Sequence, residues 1–161
     1  MKKIDYCIYQ PCSLDYHQFW EYLKEVDNLL IPPLSSRVNL AEYAERVCSR
    51  AILFVAKNGE EWVGVEAVYF NEYPEFSFTT HLSVKKEYQN NTNVGLELML
   101  RQLRYVKAHR TKGLRFTIRK SNTQLLNYHL KTGGKIIAEH AIPNSDVVMV
   151  EMEKVFIKEN I

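Results

Sequence analysis

Apolar positions along the chain follow two rhythms, one near two residues and one near 3.6, and the switches between them mark out the elements. Tyr6 to Tyr9 alternates as a first short strand. Ser13 reads as a helix N-cap, with Asp15 in a first turn where the helix dipole favours a carboxylate. Phe19, Leu23, Val26 and Leu30 then share one helical face. The stretch Ile31-Pro32-Pro33-Leu34-Ser35-Ser36-Arg37 must be a loop, because proline cannot donate to a helix and disfavours helix in the residue before it. Asn39 caps a second helix, with Glu42 in the third helical position as in a capping box and Leu40, Tyr43, Ala44 and Val47 on its apolar face.

Ala51 to Ala56 is an apolar strand, Asn58-Gly59 is a hairpin turn signal, and Trp62 to Phe70 is the returning strand. Asn71 to Glu75, containing Pro74, is the expected connection to a third long strand, Phe76 to Val84. A central helix follows, with Val94, Leu98, Met99, Leu103 and Val106 on one face, and it ends before Gly113. Leu114 to Arg119 is another strand, and Asn122 caps a short helix reaching about Lys131. Two strand-like runs close the chain, around Ile136-Ile137 and from Val147 to Val155. No repeat, low-complexity tract or linker divides the sequence, so residues 1–161 are expected to form a single α+β domain.

The bulk properties narrow the function rather than name it. With 161 residues the chain is long enough for one core, and 46% hydrophobic with 25% charged residues is ordinary for a globular protein. A net charge of +2, carried by scattered Lys and Arg, offers no footprint for nucleic acid. Cys7, Cys12 and Cys48 form no CxxC pair and leave one over if two were joined, which suits a reducing compartment. The N-terminus lacks the apolar run of a signal peptide, and no segment approaches the ~20 apolar residues of a membrane span. A cytoplasmic protein without membrane insertion is expected. His17, His109 and His140 have no metal-ligand spacing with cysteines or carboxylates, so no metal is expected.

The chemistry concentrates between Phe76 and Gly134. There, Leu82-Ser83-Val84-Lys85-Lys86-Glu87-Tyr88-Gln89 runs into Asn90-Asn91-Thr92-Asn93-Val94-Gly95 and then into the central helix. A strand, a polar loop and a helix N-terminus in that order can bind an anion, because the first helical amides lack partners and the dipole favours negative charge. The same residues could equally form a helix-capping turn with Asn93 as N-cap and no anion. This stretch resembles the cofactor core of the GNAT acyltransferase superfamily, where an Arg/Gln-x-x-Gly-x-Gly/Ala loop holds the pyrophosphate of acetyl-coenzyme A. Taken without gaps, the last Gly falls on Gly95, the preceding Gly on Asn93 and the first position on Asn90; a one-residue insertion moves that first role to Gln89. The resemblance therefore implies cofactor contacts from Leu82, Val84, Gln89, Asn90, Asn91, Thr92, Asn93, Val94 and Gly95. It also implies a mixed, mostly antiparallel twisted sheet with helices on both faces.

Further along, Asn122-Thr123-Gln124-Leu125-Leu126-Asn127-Tyr128-His129-Leu130-Lys131-Thr132-Gly133 matches the family's Asn-x-x-x-x-x-aromatic-Tyr-x-x-x-Gly at its ends. The resemblance places a cofactor-contacting asparagine on Asn122 and the acid that protonates the leaving thiolate on His129, with Tyr128 one position early. Histidine donates a proton near neutral pH more readily than a phenol of pKa about 10, though it reaches less far. Alternatively, Tyr128 packs in the core and His129 is solvated. His81, late in the strand before the loop, is a candidate base for the acceptor amine, and Glu66 on the partner strand is a weaker one. Alternation puts Glu66 on the face of Gly64 and Val68 and opposite Val65 and Ala67.

Pro32 to Leu40, followed by Tyr43, resembles a segment of GNAT proteins encoded with surface-polysaccharide pathways. That likeness implies an acceptor cleft lined by Arg37, suited to an acidic or phosphorylated group, and Tyr43, suited to stacking on a sugar. The expected reaction is transfer of an acyl group, acetyl first among them, from coenzyme A to a small primary amine such as an amino sugar. The alternatives are a protein N-acetyltransferase and a non-catalytic binding domain whose cofactor loop has decayed. A homodimer is left open.

Overall fold

The computed structural model describes residues 3–73, 75–90, 92–109 and 111–156. Seven strands form one sheet: β1 (Asp5–Tyr9), β2 (Ile52–Asn58), β3 (Glu61–Tyr73), β4 (Phe76–Val84), β5 (Gly113–Arg119), β6 (Lys135–Ala141) and β7 (Val148–Val155). Four helices accompany them: α1 (Tyr16–Val26), α2 (Leu40–Arg50), α3 (Val94–Ala108) and α4 (Thr123–Lys131). The strand order is β1-β2-β3-β4-β5-β7-β6, and every neighbouring pair is antiparallel except β4 and β5. This is the mixed α+β sheet expected from the sequence.

Alternation along β2 and β3 sorts the core into two layers. Leu53, Val55, Val65 and Ala67 face α1 and α2, where Phe19, Leu23, Val26, Tyr43 and Val47 meet them. Ile52, Phe54, Ala56, Val63 and Val68 face the opposite way, onto Val94, Leu98 and Val106 of α3. Helices therefore cover both faces. Each buried Val, Leu, Ile or Phe among them contributes about 1.5–3 kcal/mol by leaving water, so the two layers hold the sheet between the helices. A third cluster packs Leu125 and Leu126 of α4 on Leu114, Phe116, Ile118, Val150 and Met152.

Local signals acted mostly as expected. Asn39 Oδ1 accepts the Glu42 N–H at 3.0 Å, closing the N-terminus of α2, and Gly59 turns the β2–β3 hairpin at φ +61°. Three expectations are corrected. The cap of α1, which begins at Tyr16, is Asp15, whose Oδ1 accepts the His17 N–H at 3.0 Å; the Ser13 hydroxyl turns back instead and donates to the Gln10 carbonyl at 2.6 Å. The α-helix stops at Val26 and tightens into a 3-10 turn over Asp27–Leu29. Strand β3 continues through Tyr73, taking in most of the segment read as a connection, while Pro74 lies outside the described residues.

Candidate active site

The parallel pairing of β4 with β5 is short. It runs from Phe76 opposite Gly113 to Thr79 opposite Phe116 and then ends. Beyond that point β4 stays paired with β3 as far as Val84, and β5 stays paired with β7 as far as Arg119. The register of β4 on β3 slips there too: Val68 pairs with Thr79 and Ala67 with His81, which leaves Thr80 as an extra, bulged residue. A bulge increases local twist and turns a strand away from its neighbour, so Thr80 marks where β4 peels off β5. The parting begins at Thr79, three residues before Leu82.

This parting frees one edge of β4. The Lys85 N–H donates to the Val63 carbonyl at 2.8 Å, which fixes the phase of the antiparallel ladder. Alternation then turns the backbone groups of His81 and Ser83 toward β3 and those of Leu82 and Val84 toward the opening. The Val84 carbonyl, on that open edge, accepts Gln89 Nε2–H at 2.9 Å. Gln89 thus ties the loop to the strand end, a task its expected role did not include.

The loop delivers the N-terminus of α3 to the same place. Asn93 adopts the left-handed conformation, φ +57°, which asparagine tolerates better than most side chains. Its side chain makes no capping bond, and Glu97 N–H to the Asn93 carbonyl, at 2.9 Å, starts the helix. The amides of Val94, Gly95 and Leu96 consequently have no partner inside the helix and point out of its end. A Cβ on Gly95 would meet only Val84 Cγ2, at 3.6 Å, so packing does not demand glycine here. Thr92 donates its hydroxyl to the Tyr88 carbonyl, Asn90 is exposed, and Asn91 lies outside the described residues.

Across the opening, Asn122 caps α4 by accepting the Leu125 N–H at 3.3 Å. His129 on this helix is buried against Phe116, and its Nδ1 has no hydrogen-bond partner. Burial, helped by the charge of Lys154, pushes its pKa down to about 4, so the ring is neutral at pH 7. This differs from the near-neutral acid expected from histidine's ordinary pKa: as packed, the ring can offer a hydrogen bond but carries no charge. Tyr128 is exposed at the helix surface, with Lys154 Nζ 5.5 Å from its ring centroid.

On the other face of the sheet, His81 lies beneath α1 and α2, its ring edge-on to Phe19 at 5.6 Å and 6.2 Å from Tyr43. Burial lowers its pKa to about 4. Tyr43 is buried beside it, with a long 3.5 Å contact from its hydroxyl to the carbonyl of the bulged Thr80. Arg37 is exposed. Glu66 is buried on the α3 face opposite Leu82, its Oε2 unpartnered, and burial raises its pKa to about 8. The structure therefore brings Tyr43 to His81, and Gly95 to Val84, while Arg37 lies on the surface, near enough to Tyr43 for its charge to favour the phenolate.

Several polar residues here were not singled out from sequence. Gln102 is buried on α3 and donates from Nε2 to the Thr79 hydroxyl, at the last paired position of β4. Its signal was a polar residue four after Leu98, on the apolar stripe. Ser83 and Tyr22 form a buried cluster with His81, described below. Among the described residues, no group of three or more His, Cys, Asp or Glu could hold a metal ion, and no helix is long and apolar enough to cross a membrane.

No protein-family profile matches the chain, and no curated protein matches it. Solved structures do. The ribosomal-protein-S18-alanine N-acetyltransferase of Escherichia coli superposes with a TM-score of 0.73 at 12% identity, covering 98% of this chain and 99% of that one. A GNAT-family acetyltransferase of Elizabethkingia anophelis, solved with acetyl-CoA bound, superposes with a TM-score of 0.67 at 16% identity, over 95% and 98%. An IAA acetyltransferase of Bacillus cereus gives 0.66 at 17% identity, over 96% and 100%. The chain has the fold of the GNAT acetyltransferases.

Proposed function

We propose that this protein is an acyltransferase that moves an acetyl group from coenzyme A to a primary amine. The observation that carries the reading is the parting of β4 from β5 at Thr79, with the open amide end of α3 set at the far end of the freed edge. An elongated thioester fits such a groove. Its pyrophosphate would take the amides of Val94, Gly95 and Leu96, where donors and helix dipole both favour an anion. Gln89 holds the loop to Val84, and Asn122 sits at the start of α4 on the opposite wall.

The freed edge also supplies the chemistry. The N–H groups of Leu82 and Val84 point into the opening, where they would donate to the thioester carbonyl as negative charge develops on its oxygen. A neutral amine attacks the carbonyl carbon directly, and no covalent enzyme intermediate is required. His129 would donate a hydrogen bond to the departing sulfur, with Tyr128 the neighbouring alternative. Thiols of pKa about 8.5 leave readily, so this help is modest. The supply of acetyl-CoA puts the reaction in the cytoplasm.

For the acceptor we favour a small amine such as an amino sugar, with Arg37 answering an acidic or phosphorylated group and Tyr43 forming part of the wall. Surface-polysaccharide synthesis is the setting that the Pro32 to Tyr43 segment favours. Proteins of similar fold include acetyltransferases of a ribosomal-protein alanine, so a protein N-terminus is the competing acceptor. Calorimetric titration with acetyl-CoA tests the central claim. Saturable binding is expected, weakened when Gly95 is replaced. No heat at millimolar ligand would make this a binding domain that has kept only the fold.

A further inference from the structure

Three side chains from two distant segments form a buried hydrogen-bonded chain at the bulge. His81 Nε2 lies 2.7 Å from Ser83 Oγ, Ser83 Oγ lies 2.9 Å from Tyr22 Oη, and Tyr22 Oη lies 3.0 Å from the Ser83 carbonyl oxygen. Val65 on β3, which pairs with Ser83, lies beside the Tyr22 oxygen. All three side chains are buried, and Tyr22 on α1 is brought 61 residues along the chain to reach Ser83.

Hydrogen accounting gives the chain a direction. The phenol has one hydrogen and the serine hydroxyl one. If the phenol hydrogen goes to the Ser83 carbonyl, the serine hydrogen must go to the phenol oxygen, and Ser83 Oγ can only accept from His81 Nε2–H. Every close contact is then a hydrogen bond. In the reverse assignment the phenol donates to Ser83 Oγ and the serine to an unprotonated Nε2. Two oxygens, Tyr22 Oη and the Ser83 carbonyl, would then face each other at 3.0 Å with no hydrogen between them. Inside a protein that unmet contact is costly, so the first assignment wins.

We infer that Ser83 and Tyr22 are positioning residues that hold His81 as its Nε2–H tautomer, leaving Nδ1 as the nitrogen that takes the proton of the acceptor amine. The inference rests on the acyl-transfer reading and adds to it which atom acts and what fixes it. The amine lone pair forms the C–N bond, the carbonyl collapses, and the C–S pair leaves with sulfur. The nitrogen, cationic once bonded to the tetrahedral carbon, sheds its proton onto Nδ1. The imidazolium then passes that proton to solvent as the thiolate gains one, giving amide and free thiol. A weakly basic imidazole suits this order, because the nitrogen becomes strongly acidic only after attack.

The test is long-range proton–nitrogen correlation NMR on 15N-histidine-labelled protein at pH 7, with His81→Gln to assign the ring. We expect Nε2 protonated and Nδ1 bare in the wild type. In Tyr22→Phe the serine hydrogen loses its acceptor and turns to His81, so the ring should shift toward the Nδ1–H form; Ser83→Thr should keep the wild-type pattern. An Nδ1–H tautomer in the wild type, or an unchanged one in a folded Tyr22→Phe, overturns the inference. These spectra need no acetyl-CoA, so they fail or succeed apart from the acyl-transfer reading. Where transfer is measured, Tyr22→Phe should lower kcat about tenfold with acetyl-CoA affinity unchanged. An unchanged kcat would reduce the chain to packing.

Discussion

The His129 ring packs tilted against Phe116, ring centroids 4.5 Å apart, and Phe116 is the β5 residue that makes the last parallel pairing with Thr79 before the strands part. The ring proposed to meet the leaving sulfur is therefore anchored at the apex of the groove. His129→Phe keeps that ring contact and removes a buried nitrogen that has no partner. Stability should hold or rise, because an unsatisfied polar atom is replaced by carbon. Turnover should fall by about ten- to a hundredfold, at or below the usual range for loss of a general acid, with acetyl-CoA affinity unchanged. Tyr128→Phe, at an exposed position, should do much less. If Tyr128→Phe is the damaging change and His129→Phe is silent, the donor is the phenol.

Gly95→Ala separates binding from folding. The added Cβ has ordinary contact distance to Val84 Cγ2, 3.6 Å, and alanine favours helix over glycine by about 0.5–1 kcal/mol. The variant should unfold at an equal or higher temperature. Its affinity for acetyl-CoA should drop severalfold, and Gly95→Val should lose more, since each branch crowds the approach of a phosphate to the helix end. Unchanged affinity in both variants would move the pyrophosphate away from this loop.

The difference between what could and could not be read from sequence follows the range of the interactions. The Asn39 cap and the Asn58-Gly59 turn are local, set within three or four residues, and they formed as expected. Ser13 and Asp15 are both competent caps two residues apart. The three-dimensional structure decides: Asp15 meets the His17 N–H, and Ser13 turns back to the Gln10 carbonyl. The parting of β4 and β5 depends on a bulge at Thr80 set by pairing with β3, which no window on β4 reveals. His81 was legible as a lone strand histidine. Its partner Tyr22 was not singled out, because helical periodicity says nothing about where a phenol oxygen ends.

Arg37 tests the acceptor side. It is exposed after the Leu34–Ser36 turn, near enough to Tyr43 for its charge to be felt there. Arg37→Ala should raise the acceptor KM with kcat and acetyl-CoA affinity little changed, and the effect should be larger for a phosphorylated amine than for its neutral analogue. Equal KM increases for both amines would remove the argument for an anionic acceptor. A fall in melting temperature with no kinetic change would make Arg37 structural.

Glu66 makes stability depend on pH in a direction opposite to an ordinary carboxylate. Burial holds its folded pKa near 8, above the usual 4.5, so the native protein keeps a proton that the unfolded chain releases. Its folded form is fully favoured below about pH 4.5, and stability is lost as pH rises through 8. Glu66→Gln keeps the neutral shape and has no proton to lose. It should match the wild type at pH 5 and exceed it at pH 8, by on the order of 3 kcal/mol. His81 and His129, both depressed to about 4, act the other way, destabilising the fold as pH falls from 6.5 toward 4. They do so in both proteins, so the difference between variant and wild type isolates Glu66. Urea unfolding at pH 5, 6.5 and 8 measures it. A variant no more stable at pH 8 would mean that the carboxylate is ionised in the fold, with a cationic partner or water that compensates its burial.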